Sequence, residues 1–195
     1  MTEFVHLHNH TEYSLLDGMI RIAGKGPSSF LKGLAEQKIK AFAMTDHGNM
    51  YGAMEFYKNT REVGVKPIIG CEFYSTPFKY NVIDKDKSAY NHLTVLSKDL
   101  QGYHNLMQLN SDAWVDGFYF RPRIDFDLLC KNKEGLLVMS GCLKGELAQT
   151  ALYKGEEEAI KLALKYQEAL GKGNYYIEIM DHGIPEEQAA LKVLL

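Results

Sequence analysis

Short apolar runs alternate along the chain with segments of helical apolar spacing, a pattern that predicts strands each followed by a helix. Short apolar runs predict six strands, at residues 4–10, 41–45, 67–74, 92–97, 136–140 and 175–180. Helical spacing predicts helices at 28–38, at 52–63, from the fourth strand to about residue 114, at 145–170 with a break near Gly155, and from 186 onward. Six such units in series indicate a parallel sheet with crossover helices, either an open doubly wound sheet or a (β/α) barrel.

The remaining segments fit a single α/β domain over residues 1–195. Residues 78–91 are polar and rich in Lys and Asp, which predicts a loop or a small hairpin insertion. No Gly-x-Gly-x-x-Gly follows the first strand, so a dinucleotide-binding site is disfavoured. Residues 189–195 read as an apolar helix without a cap, and we expect the architecture to continue past Leu195.

Composition and charge indicate a globular protein without a general affinity for nucleic acid. Hydrophobic residues make up 46% and charged residues 24%, enough for a buried core, and the formal net charge is -3. Any contact with DNA must therefore be local. The N-terminus lacks the basic and apolar regions of a signal peptide, and the three cysteines do not make a disulfide framework. We expect a cytoplasmic location and no association with a membrane.

A pair of histidines at the end of the first predicted strand suggests a metal site. His8 and His10 lie two residues apart, so both point to the same face of a strand. Polar side chains also follow later strands, where α/β folds bind their ligands: His47, Glu72 and Cys142. Strand alternation predicts that Glu72 shares a face with Ile68 and Gly70, and that Cys142 shares one with Val138 and Ser140. Asp17, in the loop that follows His10, could fold back over the mouth of the site. This mixed donor set suits zinc, manganese or iron better than magnesium or calcium.

Other polar residues near these strands are interpreted as structural. His6 shares the parity of His8 but lies deeper in its strand, which favours a hydrogen-bonded core histidine over a ligand. Asp46 is expected to face away from the ions and to orient a histidine. His182 follows the sixth strand and could approach the site, but a position outside it is favoured.

The stretch at residues 117–123 combines three aromatic side chains with two arginines, Arg121 and Arg123. Aromatic rings can stack on bases and arginine can hold phosphate, so this stretch is a candidate DNA contact. The alternative is a loop packed on the barrel, with the arginines paired to Asp125 and Asp127. The alternative is the favoured interpretation.

Four short motifs together resemble those of the PHP (polymerase and histidinol phosphatase) superfamily. They are His8-x-His10, Thr45-Asp46-His47-Gly48, Gly70-Cys71-Glu72 and Ser140-Gly141-Cys142. Longer stretches, at residues 4–18, 48–58 and 66–72, resemble the N-terminal PHP domains of bacterial DNA polymerase III alpha subunits. The resemblance covers essentially the whole chain.

This resemblance implies a distorted (β/α)7 TIM-like barrel with up to three divalent metal ions at its mouth. Seven residues fall on the family's metal-ligand positions: His8, His10, Asp17, His47, Glu72, His92 and Cys142. His92 stands at the start of a predicted strand rather than at its end, and strand position alone does not select it. The family's last two ligands, an Asp-x-His pair after a seventh strand, are expected beyond Leu195, so weak or no activity is expected of these 195 residues alone.

The family further implies metal-dependent phosphoester hydrolysis, which in polymerases removes the 3′-terminal nucleotide as 3′→5′ proofreading. His10 and His47 are the candidates for moving a proton as well as holding ions. The implied partners are the DNA 3′ end, downstream polymerase domains of the same chain and other replicase subunits. Two alternatives stay open: a non-catalytic module that its metal stabilises, and a stand-alone PHP phosphatase.

Overall fold

A mixed α/β fold is seen in the computed structural model, which describes residues 4–22, 24 and 26–195. Its helices are α1 Ser29–Glu36, α2 Ala53–Glu62, α3 Leu100–Val115, α4 Phe126–Lys131, α5 Glu146–Lys154, α6 Glu156–Leu170 and α7 Pro185–Leu194. Its strands are β1 Ala41–Met44, β2 Lys66–Ser75, β3 Asn91–Ser97, β4 Phe118–Tyr119, β5 Arg121–Ile124, β6 Leu136–Met139 and β7 Tyr175–Tyr176. Within the described ranges, no helix has both the length and the apolar character needed to cross a bilayer.

The strands form one sheet in the order β4-β5-β2-β3-β6-β7, and β1 pairs with the first half of β2. The β1–β2, β2–β5 and β6–β7 pairs are parallel, whereas β3 runs antiparallel to both β2 and β6. The prediction of a wholly parallel sheet is therefore wrong for β3. A parallel return normally needs a crossover helix, and the segment between β2 and β3 holds only a 3-10 turn, Lys85–Lys87. That segment is the loop predicted at 78–91.

The two outermost predicted strands are shorter than the sequence pattern indicates. Residues 4–10 run beside β1 but form only one isolated bridge, between His6 and Phe42. The Asn9 side-chain amide donates to the carbonyls of His6 and Ala43, so it takes up acceptors that a longer ladder would use. The sixth strand keeps only Tyr175–Tyr176. No ladder among the described residues joins β7 to residues 4–10, so the barrel is open at this point.

Local capping explains where several helices begin. Ser28 accepts a hydrogen bond from the Leu31 amide at the start of α1, and Asp99 accepts one from Gly102 at the start of α3. Gly155, at a φ of 88°, separates α5 from α6 and confirms the predicted break. The β4–β5 hairpin and α4 were not predicted, because their short segments lack a clear periodicity.

Alternating residues of the strands divide the core into two faces. Along β2, Ile69, Cys71 and Phe73 belong to the large core beneath the helices. Ile68 points the other way, into a small cluster with Leu96 and its neighbours that lies inside the barrel. This confirms the parity predicted for β2. Because Glu72 follows Ile68 by four residues, it shares the inner face, and the apolar cluster forms the floor beneath it.

Candidate metal centre

The carboxylate of Glu72 is the hub of a cluster of four histidines. Its side chain is only 1% exposed, and both oxygens face imidazole nitrogens. The distances are 3.2 Å from Oε1 to His8 Nε2, 2.9 Å from Oε1 to His92 Nδ1, 2.7 Å from Oε2 to His47 Nδ1 and 3.3 Å from Oε2 to His10 Nε2. Three overlapping groups of these residues with Asp17 have the geometry of metal ligands: His8, His10 and Glu72; His10, Asp17 and His47; His47, Glu72 and His92.

The direction of β3 explains why His92 reaches this cluster. Because β3 is antiparallel to β2, the start of β3 lies at the same sheet edge as the end of β2, and His92 pairs in register with Tyr74. His47 arrives at the same edge from the end of β1, where it forms a parallel bridge with Glu72. Ligands usually bind at the sheet edge where parallel strands end. His92 lies at that edge because its antiparallel strand begins there.

Two buried atoms at the hub lack hydrogen-bond partners. Among the described residues, His47 Nδ1 and Glu72 Oε2 are buried without a hydrogen bond, although they lie only 2.7 Å apart. A buried polar atom without a partner is costly, and most such atoms in proteins are satisfied. His47 Nδ1 and Glu72 Oε2 could both satisfy their lone pairs by coordinating the same cation. The donor set of this cluster, imidazole with carboxylate, therefore fits a divalent metal ion.

The protonation states of the cluster depend on these close contacts. Burial opposes protonation of His8, but hydrogen bonds to Glu178 and Glu72 outweigh it and raise the pKa of His8 to about 10. The pKa of His47 is also raised, since Glu72 and Asp17 outweigh its burial. Burial favours the neutral form of Glu72, yet the four histidines hold its pKa far below the usual range. Glu72 therefore stays an ionised carboxylate at physiological pH, beside histidines that its charge helps to protonate.

Asp17 folds over the mouth of the centre as its sequence position predicted. Its Oδ2 lies 2.9 Å from His47 Nε2, on the solvent side of that ring. The loop that carries it is held by the amide of Gly18, which donates to the carbonyl of Ser14. A Cβ added at Gly18 would lie 1.6 Å from the carbonyl oxygen of Thr11, so only glycine allows this close approach.

Cys142 reaches the cluster by a turn rather than by strand parity. Its Sγ lies 3.7 Å from Glu72 Oε1 and 3.6 Å from His92 Nδ1. Val138 packs in the core beneath the helices, so the predicted common face of Val138 and Cys142 is wrong. The chain turns after β6 at Gly141, whose φ is 82°, and this turn redirects Cys142 inward. Burial, with the nearby Glu72 charge, raises the pKa of the Cys142 thiol to about 12.

Comparison with known proteins places the fold and the motifs in one family. A family profile described as PHP domain matches residues 6–182. The chain belongs to the PHP domain family. A solved structure from Bifidobacterium adolescentis, named as a metal-dependent phosphoesterase, superposes on this PHP domain with a TM-score of 0.51 at 12% identity. The match covers 99% of this chain and 83% of that one, and it confirms the predicted fold class.

The relatives of this PHP domain include DNA polymerase III alpha subunits from several bacteria. Those of Treponema pallidum and Deinococcus radiodurans are each 42% identical to it, over 98% and 95% of the chain. That of Mycobacterium tuberculosis is 38% identical over 100% of the chain. The matches cover 16%, 14% and 17% of these relatives, so the chain spans about one-sixth of their length. The resemblance seen in the longer motifs is confirmed.

Glu178 is a member of the centre that the sequence pattern did not reveal. Its Oε1 lies 2.7 Å from His8 Nδ1, and its amide donates to Ser140 Oγ. It follows β7 by two residues, so the strand-end rule that selected Glu72 could have selected it too. A carboxylate on one nitrogen of a histidine orients the other nitrogen toward an ion. Glu178 therefore aims Nε2 of His8 into the PHP centre.

The contacts correct the predictions for Asp46 and His6 and agree with the one for His182. Asp46 is buried and accepts hydrogen bonds from Thr11 and from Ser14 Oγ, so it touches no histidine directly. Its influence passes through the Ser14 hydroxyl, 3.2 Å from His10 Nδ1. His6 is exposed against Phe4 rather than a core histidine. His182 hydrogen-bonds Glu187 and does not join the described cluster, as favoured.

The two arginines of the 117–123 stretch have different environments. Arg123 is fully buried and donates to the carbonyls of Gly117, Tyr80, Val82 and Lys87, which tie the 78–91 loop to β5. A buried guanidinium cannot contact DNA, so the candidate DNA contact is wrong for Arg123. The predicted pairing with Asp125 and Asp127 is also wrong, since those carboxylates face Lys79. Arg121 is exposed, and its candidate role stays a prediction.

Proposed function

We propose that this PHP domain, taken as residues 1–195, binds divalent metal ions and hydrolyses the 3′-terminal phosphodiester of DNA as part of a bacterial replicative polymerase. The observation that carries the proposal is the pair of unpartnered buried atoms, His47 Nδ1 and Glu72 Oε2, within a cluster of histidines. The polymerase context is supported by the identity to DNA polymerase III alpha subunits. The cytoplasm is the proposed location.

The proposed ligand set surrounds Glu72 on all sides. It comprises His8, His10, Asp17, His47, Glu72, His92 and Cys142. The two oxygens of Glu72 lie close to four of the other residues, and Glu72 belongs to two of the three ligand groups, so it would contribute to more than one metal position. Nitrogen, oxygen and sulfur donors together suit zinc, manganese or iron, and the three overlapping ligand groups support up to three ions.

Bound divalent ions would lower the pKa of a water molecule and neutralise charge on the phosphoryl oxygens. The residues of the chain position these groups. His10 and His47 have the most exposed side chains of the four histidines, at 22% and 18%, and their rings stack at 4.1 Å. They therefore face the side from which substrate arrives. We assign proton transfer to His10 and His47, with His8 and His92 as buried ligands.

In the proposed setting, the substrate is the 3′ end of DNA and the partners are the polymerase domains of the same chain, with other replicase subunits. A full-length polymerase that carries this domain should remove a mismatched 3′ nucleotide when manganese or zinc is added. His10→Ala should abolish that cleavage, and His104→Ala, an exposed histidine on α3, should retain it. Equal cleavage by His10→Ala and the wild-type protein would refute the assignment.

A non-catalytic, metal-stabilised module is the second candidate. Burial favours it, because His8, Glu72 and His92 are 7%, 1% and 9% exposed and join residues 4–10, β2 and β3. The His8→Ala variant separates the two functions. If it lowers the melting temperature and leaves cleavage unchanged, the structural role is correct. Hydrolysis of a small phosphomonoester without any cleavage of DNA would instead favour a stand-alone phosphatase.

A further inference from the structure

A row of aromatic side chains lies on the surface beside the metal centre. Tyr51, Trp114 and Phe118 are 66%, 40% and 46% exposed. The Tyr51 and Trp114 rings lie 6.3 Å apart, and those of Trp114 and Phe118 stack at 5.4 Å with an interplanar angle of 17°. We call these three residues the aromatic row. Three neighbouring, partly exposed rings form a surface on which planar groups can stack.

The aromatic row is hydrogen-bonded to the segment that carries His47 of the metal centre. The Trp114 indole donates to the carbonyl of Gly48 at 2.7 Å, and Gly48 directly follows His47. Phe118 pairs with Pro122 across the β4–β5 hairpin. A Cβ added at Gly48 would lie 2.8 Å from Pro122, so the hairpin packs tightly against the same turn. The row therefore begins at the rim of the centre.

The exposed Arg121 lies close to the centre, on the same β4–β5 hairpin as Phe118. The Arg121 guanidinium sits 5.8 Å from the centroid of the Tyr74 ring, and that ring stacks on His47 at 6.1 Å. In the part of the chain that the structure describes, Arg121 forms no ion pair, and its one hydrogen bond is to the carbonyl of Phe120. It is therefore free to hold a phosphate.

Two nearby carboxylates point away from the aromatic row. Asp112 and Asp116 lie two residues before and after Trp114, and residues two apart on a helix face nearly opposite sides. Both charges act on Tyr80 instead, whose pKa burial raises and they raise further. A phosphate chain along the row would therefore meet Arg121 rather than these acids.

We propose that the aromatic row is a base-stacking platform for single-stranded DNA and that Arg121 holds a phosphate of the same strand beside the metal centre. This inference deepens the proposed function and rests on it. Stacking suits a 3′ end of any sequence, because every base has an aromatic face. Protein interfaces also use aromatic rings, so the rings alone do not choose the occupant. The unpaired charge of Arg121, two ring contacts from the metal centre, favours a nucleic acid, whose phosphates it can hold.

The single tryptophan makes the proposal directly measurable in the 195-residue chain. Titration with a twelve-nucleotide oligothymidine should quench Trp114 fluorescence, since a base stacked directly on an excited indole ring quenches its emission. The titration is run in EDTA, where no hydrolysis occurs, and repeated with manganese. Absence of quenching in both conditions would overturn the proposal.

Variants separate stacking from general charge. Phe118→Ala and Tyr51→Ala should each weaken oligothymidine binding by roughly fivefold or more, as loss of one stacked base predicts. Arg121→Gln should reduce the slope of affinity against salt by about one counterion. Tyr153→Ala removes an equally exposed ring on α5, which packs with α6 and α7, and should bind like the wild-type chain. Equal losses in Tyr153→Ala and Phe118→Ala would overturn the platform.

The outcomes also separate this inference from the proposed function. If oligothymidine quenches Trp114, Phe118→Ala weakens this quenching and the protein hydrolyses no DNA, the stacking proposal is retained and the proposed nuclease function is rejected. Nuclease activity without quenching would retain the proposed nuclease function and reject the stacking proposal. If Trp114 emission changes with protein concentration but not with oligothymidine, the aromatic row is a contact between copies of the chain and the proposal is wrong.

Discussion

At the scale of single residues, the centre is a buried negative charge that is stable only because of its neighbours. Glu72 has nearly no exposure, and an isolated carboxylate at such a position would be protonated. The four surrounding histidines reverse this preference and keep its pKa low. The buried charge of Glu72 therefore depends on the histidines around it. Removal of Glu72 or of one of these histidines should affect both metal binding and stability.

Glu72→Gln should lower the free energy of unfolding by about 3–5 kcal/mol, because it leaves protonated histidines without their buried counter-charge. It should also abolish stoichiometric zinc binding. Urea denaturation with and without zinc measures both effects. Glu168→Gln, an exposed glutamate on α6, is the matched control and should change neither value. A Glu72→Gln variant of wild-type stability would contradict the role of Glu72 as hub.

Metal binding should release protons at pH 7. The pKa of His8 is raised to about 10 in the metal-free chain, so His8 is protonated at neutral pH. A metal ligand must be a neutral imidazole, so the ion displaces this proton and its apparent affinity rises as the pH increases toward 10. Calorimetric titration with zinc in buffers of different ionisation enthalpy measures the number of protons. Identical heats in all buffers would contradict the contacts of His8 with Glu72 and Glu178.

At the scale of elements, backbone turns decide which side chains reach the centre. The antiparallel direction of β3 brings His92 to the metal edge, and the Gly141 turn redirects Cys142 after β6. Periodicity predicted both strands but neither the direction of β3 nor the turn. Strand direction depends on which neighbour a strand pairs with, and that information is not local in the sequence.

Gly141→Ala should destabilise the chain more than a substitution that adds only backbone strain. At a φ of 82°, any side chain costs about 1–2 kcal/mol. At Gly141 the added Cβ would also lie 2.6 Å from the carbonyl oxygen of His92. Gly173→Ala has nearly the same φ, 83°, with no neighbour within 4 Å, and serves as the control. Thermal denaturation should show a larger loss of stability for Gly141→Ala than for Gly173→Ala, and Gly141→Ala should also weaken zinc binding. A larger loss for Gly173→Ala would contradict the role of the Gly141 turn.

At the scale of the whole molecule, the centre joins segments that are far apart in the sequence. His8 near the N-terminus contacts Glu72 on β2 and Glu178 beyond β7, across an edge where the described residues form no ladder to close the barrel. A bound ion would connect the same segments more strongly than these hydrogen bonds. The metal is therefore expected to close the barrel as well as to support its chemistry.

Chelation of the metal should lower the melting temperature and loosen the open edge selectively. An ion present at a thousand times its dissociation constant stabilises a fold by about 4 kcal/mol. After EDTA treatment, amide hydrogen exchange should accelerate at residues 4–10 and 175–180. Helix α1, which is packed in the apolar core away from the centre, is the internal control and should keep its protection. Uniform acceleration throughout the chain would show that the metal does not act at this edge.

The sequence by itself determined the order of strands and helices and most of the side chains that meet in the cluster. Apolar periodicity located the predicted helices to within a few residues, and strand ends identified His47 and Glu72. These signals are local, because helix and strand periods are properties of neighbouring residues. The loop after His10 suggested Asp17 and the family motifs added His92, and the structure brings both to the centre.

Only the tertiary structure decided how these pieces meet. It reversed β3, buried Arg123 among loop carbonyls, added Glu178 behind His8, and assembled the aromatic row from α3, the β4–β5 hairpin and Tyr51. Each of these depends on contacts between residues that are distant along the chain. Such contacts form through packing and hydrogen-bond satisfaction in three dimensions, and a one-dimensional pattern does not contain them.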